Sequence, residues 1–231
     1  MHSIAATRTD DHQLQTPHIV LRHRNGHSVQ VIGVLHYALP STWKAINKRL
    51  WFLANRGWSV HYEQVKPVPD MTAREKGIHR QLQLLRVTLG NKLGQIGAIY
   101  QGDGVNYPSG AVNTDTTIRE VYASYKGSLL ALAARVKLAR VIFQLTPASS
   151  VVGLLESGAA QDSSDGAGAI FDNKVLLDLR NRIAVANCIA TPQNVVMVWG
   201  AAHVDGIVSL LLKRGYYVTQ HHWTTMLPLH S

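Results

Sequence analysis

Cysteine and long apolar runs are what this sequence has least of. Its 231 residues include a single cysteine, Cys188, so no disulfide can form within the chain, and we interpret the thiol as a small buried residue. No stretch reaches the ~18 uncharged apolar residues of a membrane helix, and the nearest candidate, residues 129–145, carries three basic side chains. Residues 1–16 are polar and lack the apolar region of a signal peptide. We therefore expect a cytoplasmic protein with no membrane partner.

Acidic residues are also scarce. Aspartate and glutamate together number 14 against 23 lysines and arginines, which gives a formal net charge of +9. The basic residues are scattered, most densely in 74–92 and 126–140, and neither zinc-finger spacing nor a base-stacking aromatic strand accompanies them. We interpret them as solvated helix faces and expect no nucleic-acid partner. An anionic substrate or an acidic surface is the alternative explanation of the positive charge.

Short apolar runs typical of strands alternate with longer helical patterns. The predicted strands cover residues 18–23, 28–35, 58–63, 99–101, 195–199 and 216–221. Asn25-Gly26 favours a tight hairpin turn between the first two. This order predicts one α/β domain over residues 18–222, with a mixed, largely parallel central sheet flanked by helices and an N-terminal β-hairpin. A flexible segment, 1–17, is expected before the domain and a tail, 223–231, after it.

Helices are predicted where apolar residues recur every three or four positions. They cover residues 42–56, 70–89, 116–145 with a break near Gly127, the segment from Pro147, 170–190 and 204–214. The apolar face of the first consists of Trp43, Ile46, Leu50 and Leu53. Gly57 is expected to end that helix, and Asp70 to cap the start of the second. The glycine-rich segments 101–115 and 157–168 are predicted as loops that border a functional cleft.

Three of the strand-like runs end in a side chain that can bind a metal or transfer a proton. His36 follows the second run, Glu63 ends the third, and His203 follows the run at 195–199. Parallel strands bring their carboxyl ends to one edge of a sheet, so these side chains are predicted to lie within about 8 Å of one another, around one ion or water. The ordinary alternatives are a core histidine or helix cap for His203, and a surface salt bridge or cap for Glu63.

The chain resembles the TraB/PrgY–TIKI family, which belongs to a superfamily with the erythromycin esterases and the haem-binding ChaN proteins. The resemblance spans residues 28–220 and rests on Gly33-Val34-Leu35-His36, Val60-His61-Tyr62-Glu63, Arg180-Asn181, and Gly200-Ala201-Ala202-His203 with the glycines that follow it. Asn113-Thr114-Asp115 is similar to a segment of some bacterial members. The resemblance implies an α/β fold with a mixed central sheet and a site built from both histidines, the glutamate and the arginine.

The resemblance also implies hydrolysis, by one of two routes. TIKI members are described as metal-dependent proteases that use manganese or cobalt, whereas the esterases are thought to work without a metal. His36, His203 and Glu63 are a sufficient ligand set for a divalent ion that activates water, and zinc is a further candidate. Without a metal, Glu63 would orient His36 as a general base.

The remaining site residues would act on the substrate. Arg180 would bind a substrate carboxylate or stabilise a developing oxyanion, with an ion pair to Asp178 or Glu75 as the structural alternative. Asp115 would add a metal ligand, anchor Arg180 or cap the following helix. Gln101 begins the glycine-rich loop and is a predicted substrate-binding residue.

We therefore expect a hydrolase that depends on manganese or cobalt and cleaves an amide or ester bond of a small molecule or peptide. One alternative is a non-catalytic binding module that sequesters a small peptide or hydrophobic ligand in the same cleft. A metal-independent esterase is the other. A homodimer is compatible with the sequence.

Overall fold

A run of parallel strands, continued on one side by antiparallel ones, forms the central sheet. The computed structural model describes residues 4–124, 129–160 and 174–229. Its strands are β1 (Arg8–Asp10), β2 (Gln13–His23), β3 (Ser28–Val34), β4 (Tyr37–Ala38), β5 (Ser59–Tyr62), β6 (Ile99–Tyr100), β7 (Val112–Asn113), β8 (Val195–Gly200) and β9 (Tyr216–Pro228). Its helices are α1 (Pro40–Ala54), α2 (Ala73–Gly94), α3 (Gln101–Gly104), α4 (Ile118–Ser124), α5 (Leu129–Leu145), α6 (Ala148–Ala160), α7 (Lys174–Ala190) and α8 (Ala201–Leu212).

The strand order along the sheet is β1-β2-β3-β8-β5-β7, and β9 pairs with β2. β3, β8, β5 and β7 run parallel to one another, whereas β1, β2 and β9 make the antiparallel part. β2 and β3 form a hairpin whose turn contains Gly26 at a φ of 95°, a conformation that glycine adopts without strain. The predicted α/β class, mixed sheet and N-terminal hairpin are confirmed.

The central strand β8 is apolar on both faces because it has a hydrophobic core on each side. Val196 and Val198 belong to a cluster shared with α1. Val195, Met197 and Trp199 belong to a second cluster, shared with α7 and α8. A continuous apolar run is what a strand covered on both faces requires, so the prediction for residues 195–199 is confirmed.

Helix α1 packs on the sheet through the predicted stripe. Its buried residues include Trp43, Ile46, Leu50 and Leu53. The helix begins two residues earlier than predicted because Pro40 occupies its first turn, where the missing N–H has no intrahelical partner to lose. Gly57 lies just past its end at a φ of 78°, as predicted.

The cap of helix α2 differs from the prediction. Thr72, not Asp70, is the N-cap residue, and it forms a reciprocal capping box with Glu75. Asp70 instead accepts a hydrogen bond at 3.2 Å from Arg119. The sequence offered both candidates, and the glutamate three residues after Thr72 is the signal that distinguishes them.

The sheet extends further toward both chain ends than predicted. β2 begins at Gln13 and β9 continues to Pro228, and these two residues pair with each other. Asp11 and His12, at φ angles of 46° and 56°, form the tight turn between β1 and β2. The predicted flexible segment 1–17 and tail 223–231 therefore contain strand residues. The sequence pattern missed β1 because its residues are polar, and it missed the ends of β2 and β9 because they pair across opposite ends of the chain.

Two predicted loops also contain regular structure. Segment 101–115 includes α3 and β7, and α6 continues to Ala160 into the segment predicted as loop 157–168. The rest of that loop, the helix residues 170–173 and the break near Gly127 lie outside the described residues. Among the helices that are described, none combines the length and apolar character needed to cross a bilayer.

Gly33→Ala should lower the free energy of unfolding by roughly 1–3 kcal/mol, because overpacking forces neighbours apart. An added Cβ would lie 2.8 Å from the carbonyl oxygen of Pro17 and 2.9 Å from Val204 Cγ2. Gly77→Ala is the matched control: no atom lies within 4 Å of the added Cβ, and alanine favours the helix. Urea denaturation measures both, and equal stability of Gly33→Ala and wild type would contradict the close packing of β3 on α8.

Candidate functional site

The three predicted strand ends meet at one edge of the sheet. β8 lies between β3 and β5, with Val34 opposite Gly200 and Tyr62 opposite Val198. His36, Glu63 and His203 follow these parallel strands, so the predicted common edge is confirmed. Helix α8 begins at Ala201 rather than at residue 204, because Gly200 already takes the N-cap position. His203 therefore lies inside the first helical turn and is buried.

Glu63 is the centre of the site. Its Oε1 accepts a hydrogen bond at 2.5 Å from Arg180 Nη2 and lies 3.5 Å from His203 Nε2. Its Oε2 accepts a hydrogen bond from the backbone N–H of Gly200. Burial by itself would raise the pKa of this carboxyl, but the positive charges of His203, Arg180 and His36 hold its pKa well below the ordinary value. Glu63 is therefore ionised in the folded protein.

Arg180 joins Glu63 to a second buried carboxylate. Its Nε donates to Asp115 Oδ1 at 2.9 Å and its Nη2 donates to Asp115 Oδ2 at 2.7 Å. This two-point contact orients the guanidinium. Burial alone would lower the pKa of Arg180, but both carboxylates outweigh it and raise that pKa. The predicted anchoring of Arg180 by Asp115 is confirmed, and pairing with Asp178 or Glu75 is wrong.

Each histidine is oriented by a side-chain amide. His203 Nδ1 lies 2.7 Å from Asn181 Oδ1, and His36 Nδ1 lies 3.0 Å from Gln101 Oε1. An amide oxygen only accepts hydrogen bonds, so both contacts place a proton on Nδ1. In the neutral ring the Nε2 atom then carries the lone pair. His36 is thus held in the form that can accept a proton, or bind a metal, through Nε2.

The two histidines differ in access to solvent. His36 is exposed, whereas His203 is buried against Trp199, with ring centroids 5.2 Å apart. His203 Nε2 faces a carboxylate oxygen, and that contact is attractive only when the ring carries its second proton. His36 is the histidine that solvent can reach, and His203 belongs to the buried charge network.

Two glycines make room for this network. A Cβ at Gly200 would lie 3.0 Å from Glu63 Oε2, and one at Gly206 would lie 2.1 Å from Asn181 Nδ2. The glycines of the second Gly-x-x-His segment therefore permit close approach of the groups that hold Glu63 and His203. In the Gly-x-x-His motif, the glycine therefore serves the packing around the site and the histidine supplies a side chain to the site.

Sequence reasoning missed two positioning residues. Asn181 stands next to Arg180 in the chain, but nothing local indicated that it binds His203. Tyr107 accepts a hydrogen bond at 3.1 Å from Gln101 Nε2 and stacks on Tyr62. The predicted loop 101–115 supplies Gln101, Tyr107 and Asp115 to the site.

The surroundings of Glu63 bear on the predicted metal site, which stays a prediction. Both oxygens of Glu63 are already bound, one by the guanidinium of Arg180 and the other by a backbone N–H. A divalent cation on that carboxylate would lie beside a permanent positive charge. Across the described residues, moreover, no three His, Cys, Asp or Glu side chains are grouped so as to hold a metal ion.

No protein-family model, curated protein or solved structure matches the chain. The resemblance to the TraB/PrgY–TIKI family therefore stays a prediction, and the function is argued from the site alone.

Glu63→Gln should destabilise the fold in a pH-dependent way. Because the folded-state pKa is depressed, the carboxylate's stabilisation is complete above the unfolded value of about 4.3 and is lost as the pH falls through the folded value. We expect the variant to be about 3 kcal/mol less stable at pH 7, and the gap to wild type to narrow below about pH 4.

Guanidinium chloride denaturation at several pH values measures this difference. Asp10→Asn removes an exposed carboxylate and serves as the matched control, with little effect expected at any pH. A gap for Glu63→Gln that stays constant from pH 7 to acid would show that the carboxylate does not pair with Arg180 and His203.

Proposed function

We propose that the chain is a metal-independent hydrolase of an ester or amide bond in a small molecule or peptide, with His36 as its general base. The observation that carries the proposal is an exposed imidazole, fixed through Nδ1 by Gln101, close enough to the ion-pair network of Glu63, Arg180 and Asp115 to stabilise the Glu63 carboxylate. A positioned histidine of this kind contributes about 10²–10⁴-fold to a hydrolysis rate.

In the proposed reaction His36 Nε2 takes a proton from water as the water oxygen attacks the carbonyl carbon. The C=O π electrons move to the carbonyl oxygen, which becomes an oxyanion. When the oxyanion collapses, the C–O or C–N bond breaks, and His36 returns the proton to the leaving group. The products are an acid and an alcohol or amine, and the enzyme is regenerated.

Glu63 supports this step electrostatically. Protonation gives His36 a positive charge, and that charge is attracted to the buried Glu63 carboxylate, the same attraction that helps keep Glu63 ionised. The network of Glu63, His203, Arg180 and Asp115 holds the carboxylate still, so little reorganisation accompanies the change in charge.

Arg180 is assigned to the substrate. Its Nε and Nη2 are bound by the carboxylates, while Nη1 has no hydrogen-bond acceptor within the described part of the chain. A guanidinium N–H that is unpaired and fixed in place by two carboxylates suits a substrate carboxylate or the developing oxyanion.

Hydrolysis of p-nitrophenyl esters and peptide p-nitroanilides, measured in EDTA, tests the proposal. We expect turnover that survives chelation and falls by about 10²-fold or more in kcat/KM for His36→Gln, which removes the base. His222→Gln, which removes an exposed histidine of β9, should leave the rate unchanged.

Two results would contradict this function. Activity that is lost on chelation and restored by manganese or cobalt would make the enzyme metal-dependent. Saturable binding of such compounds, with no turnover by any of them, would favour the non-catalytic binding module.

Gln101 variants test how His36 is positioned. Gln101→Glu places a carboxylate at His36 Nδ1, so the base should keep its second proton to higher pH. The acid limb of the kcat/KM profile should then move up by about one pH unit. Gln101→Leu removes the acceptor and should lower kcat without that upward shift. A profile that stays fixed in Gln101→Glu would show that Gln101 has only a packing role.

A further inference from the structure

Helix α5 has two apolar faces, although a helix on a protein surface needs only one. Val136, Ala139 and Phe143 are buried in the core. The opposite side of the helix exposes Leu130, Leu138 and Leu145, which are 72%, 59% and 81% accessible. No described residue covers these leucines, so the second apolar face is in contact with solvent.

The exposed residues form one continuous stripe. Leu130, Leu138, Val141, Ile142 and Leu145 are all exposed, and their separations of three, four and eight positions place them on the same side of an α-helix. We call these five residues the outer stripe. A helix of this length presents the stripe over about 25 Å. Apolar patches of this kind on a protein surface mark interaction sites.

Basic side chains border the outer stripe on both edges. At about 100° per residue, Arg135 lies next to Ile142 at one edge and Lys137 lies next to Leu130 at the other. Both are exposed, and α5 contains neither aspartate nor glutamate. Their aliphatic stems can lie along apolar surface while the charged ends reach an aqueous, negatively charged layer.

We propose that the outer stripe of α5 binds the surface of an anionic lipid bilayer. The stripe would enter the boundary between headgroups and acyl chains, and Arg135 and Lys137 would contact the lipid phosphates or carboxylates. The helix would lie in the plane of the bilayer surface without crossing it. This agrees with the basic residues within α5, and with the finding that α5 is not long and apolar enough to cross a membrane.

The charges favour this occupant over a second copy of the chain. Two outer stripes packed together would bring Arg135 and Lys137 of both copies to one interface, in a protein whose formal net charge is already +9. Like charges so placed repel. An anionic bilayer instead supplies the opposite charge along the whole helix. The lipid face and the hydrolase site use different residues, so either can exist without the other.

Co-sedimentation of the full chain with lipid vesicles tests the proposal. One set contains only phosphatidylcholine, and the other contains about 30 mol% phosphatidylserine. We expect binding to the second set only, and a loss of about tenfold or more for Leu138→Gln/Leu145→Gln, because two buried leucines are removed from the interface. Ile99→Gln/Val218→Gln alters two exposed apolar residues elsewhere and should bind as wild type does.

A second pair of variants tests whether the basic residues beside the outer stripe contact the lipid. Arg135→Gln/Lys137→Gln should weaken binding to phosphatidylserine more than Lys213→Gln/Arg214→Gln, an exposed pair at the end of α8. Equal losses would mean that net charge alone drives binding and would overturn the proposal. So would absence of binding, equal binding to neutral vesicles, or a dimer that the leucine variant dissociates. Circular dichroism melting confirms that each variant is folded.

Discussion

The site depends on one partly buried guanidinium. Arg180, on α7, is bound at once by Glu63, which follows β5, and by Asp115, which follows β7. Removing three charged groups from water costs free energy, and the cost is offset only when all three meet in good hydrogen-bonding geometry. The cluster therefore fixes how α7 lies against the sheet edge, and with it the position of Asn181, the next residue along the helix. Asn181 in turn orients His203.

Close packing is the second constraint, and it explains the glycines better than the chemistry does. Gly33 permits β3 to approach Pro17 and Val204, Gly200 lies against Glu63, and Gly206 lies against Asn181. In each Gly-x-x-His segment the glycine terminates or approaches the end of a parallel strand, and the histidine emerges three residues later at the carboxyl edge. The spacing thus joins a packing requirement to the placement of a functional ring.

Features with a strong local pattern could be predicted from the sequence, and those set by distant partners could not. The all-apolar run of β8 predicted the centre of the sheet, and the apolar stripe of α1 predicted a helix that packs on it. The start of β2 and the end of β9 were missed because their pairing joins opposite ends of the chain, and β1 was missed because its three residues are polar and exposed. Likewise Arg180 has Asp178 close in sequence, yet residues two apart on a helix do not face each other, and its partner Asp115 is identified only by the fold.

The contacts of the two carboxylates underlie the metal-independent route of the proposed function. The Asp115 carboxylate binds Arg180 through both oxygens, and the Glu63 carboxylate binds Arg180 through one oxygen and Gly200 through the other. Freeing either carboxylate would leave a partly buried guanidinium short of a partner, a change that costs about 3 kcal/mol. The carboxylates therefore hold the structure, and under the proposed function Nε2 of His36 remains for the chemistry. Because His36 is exposed, this atom could meet a substrate without disturbing the network.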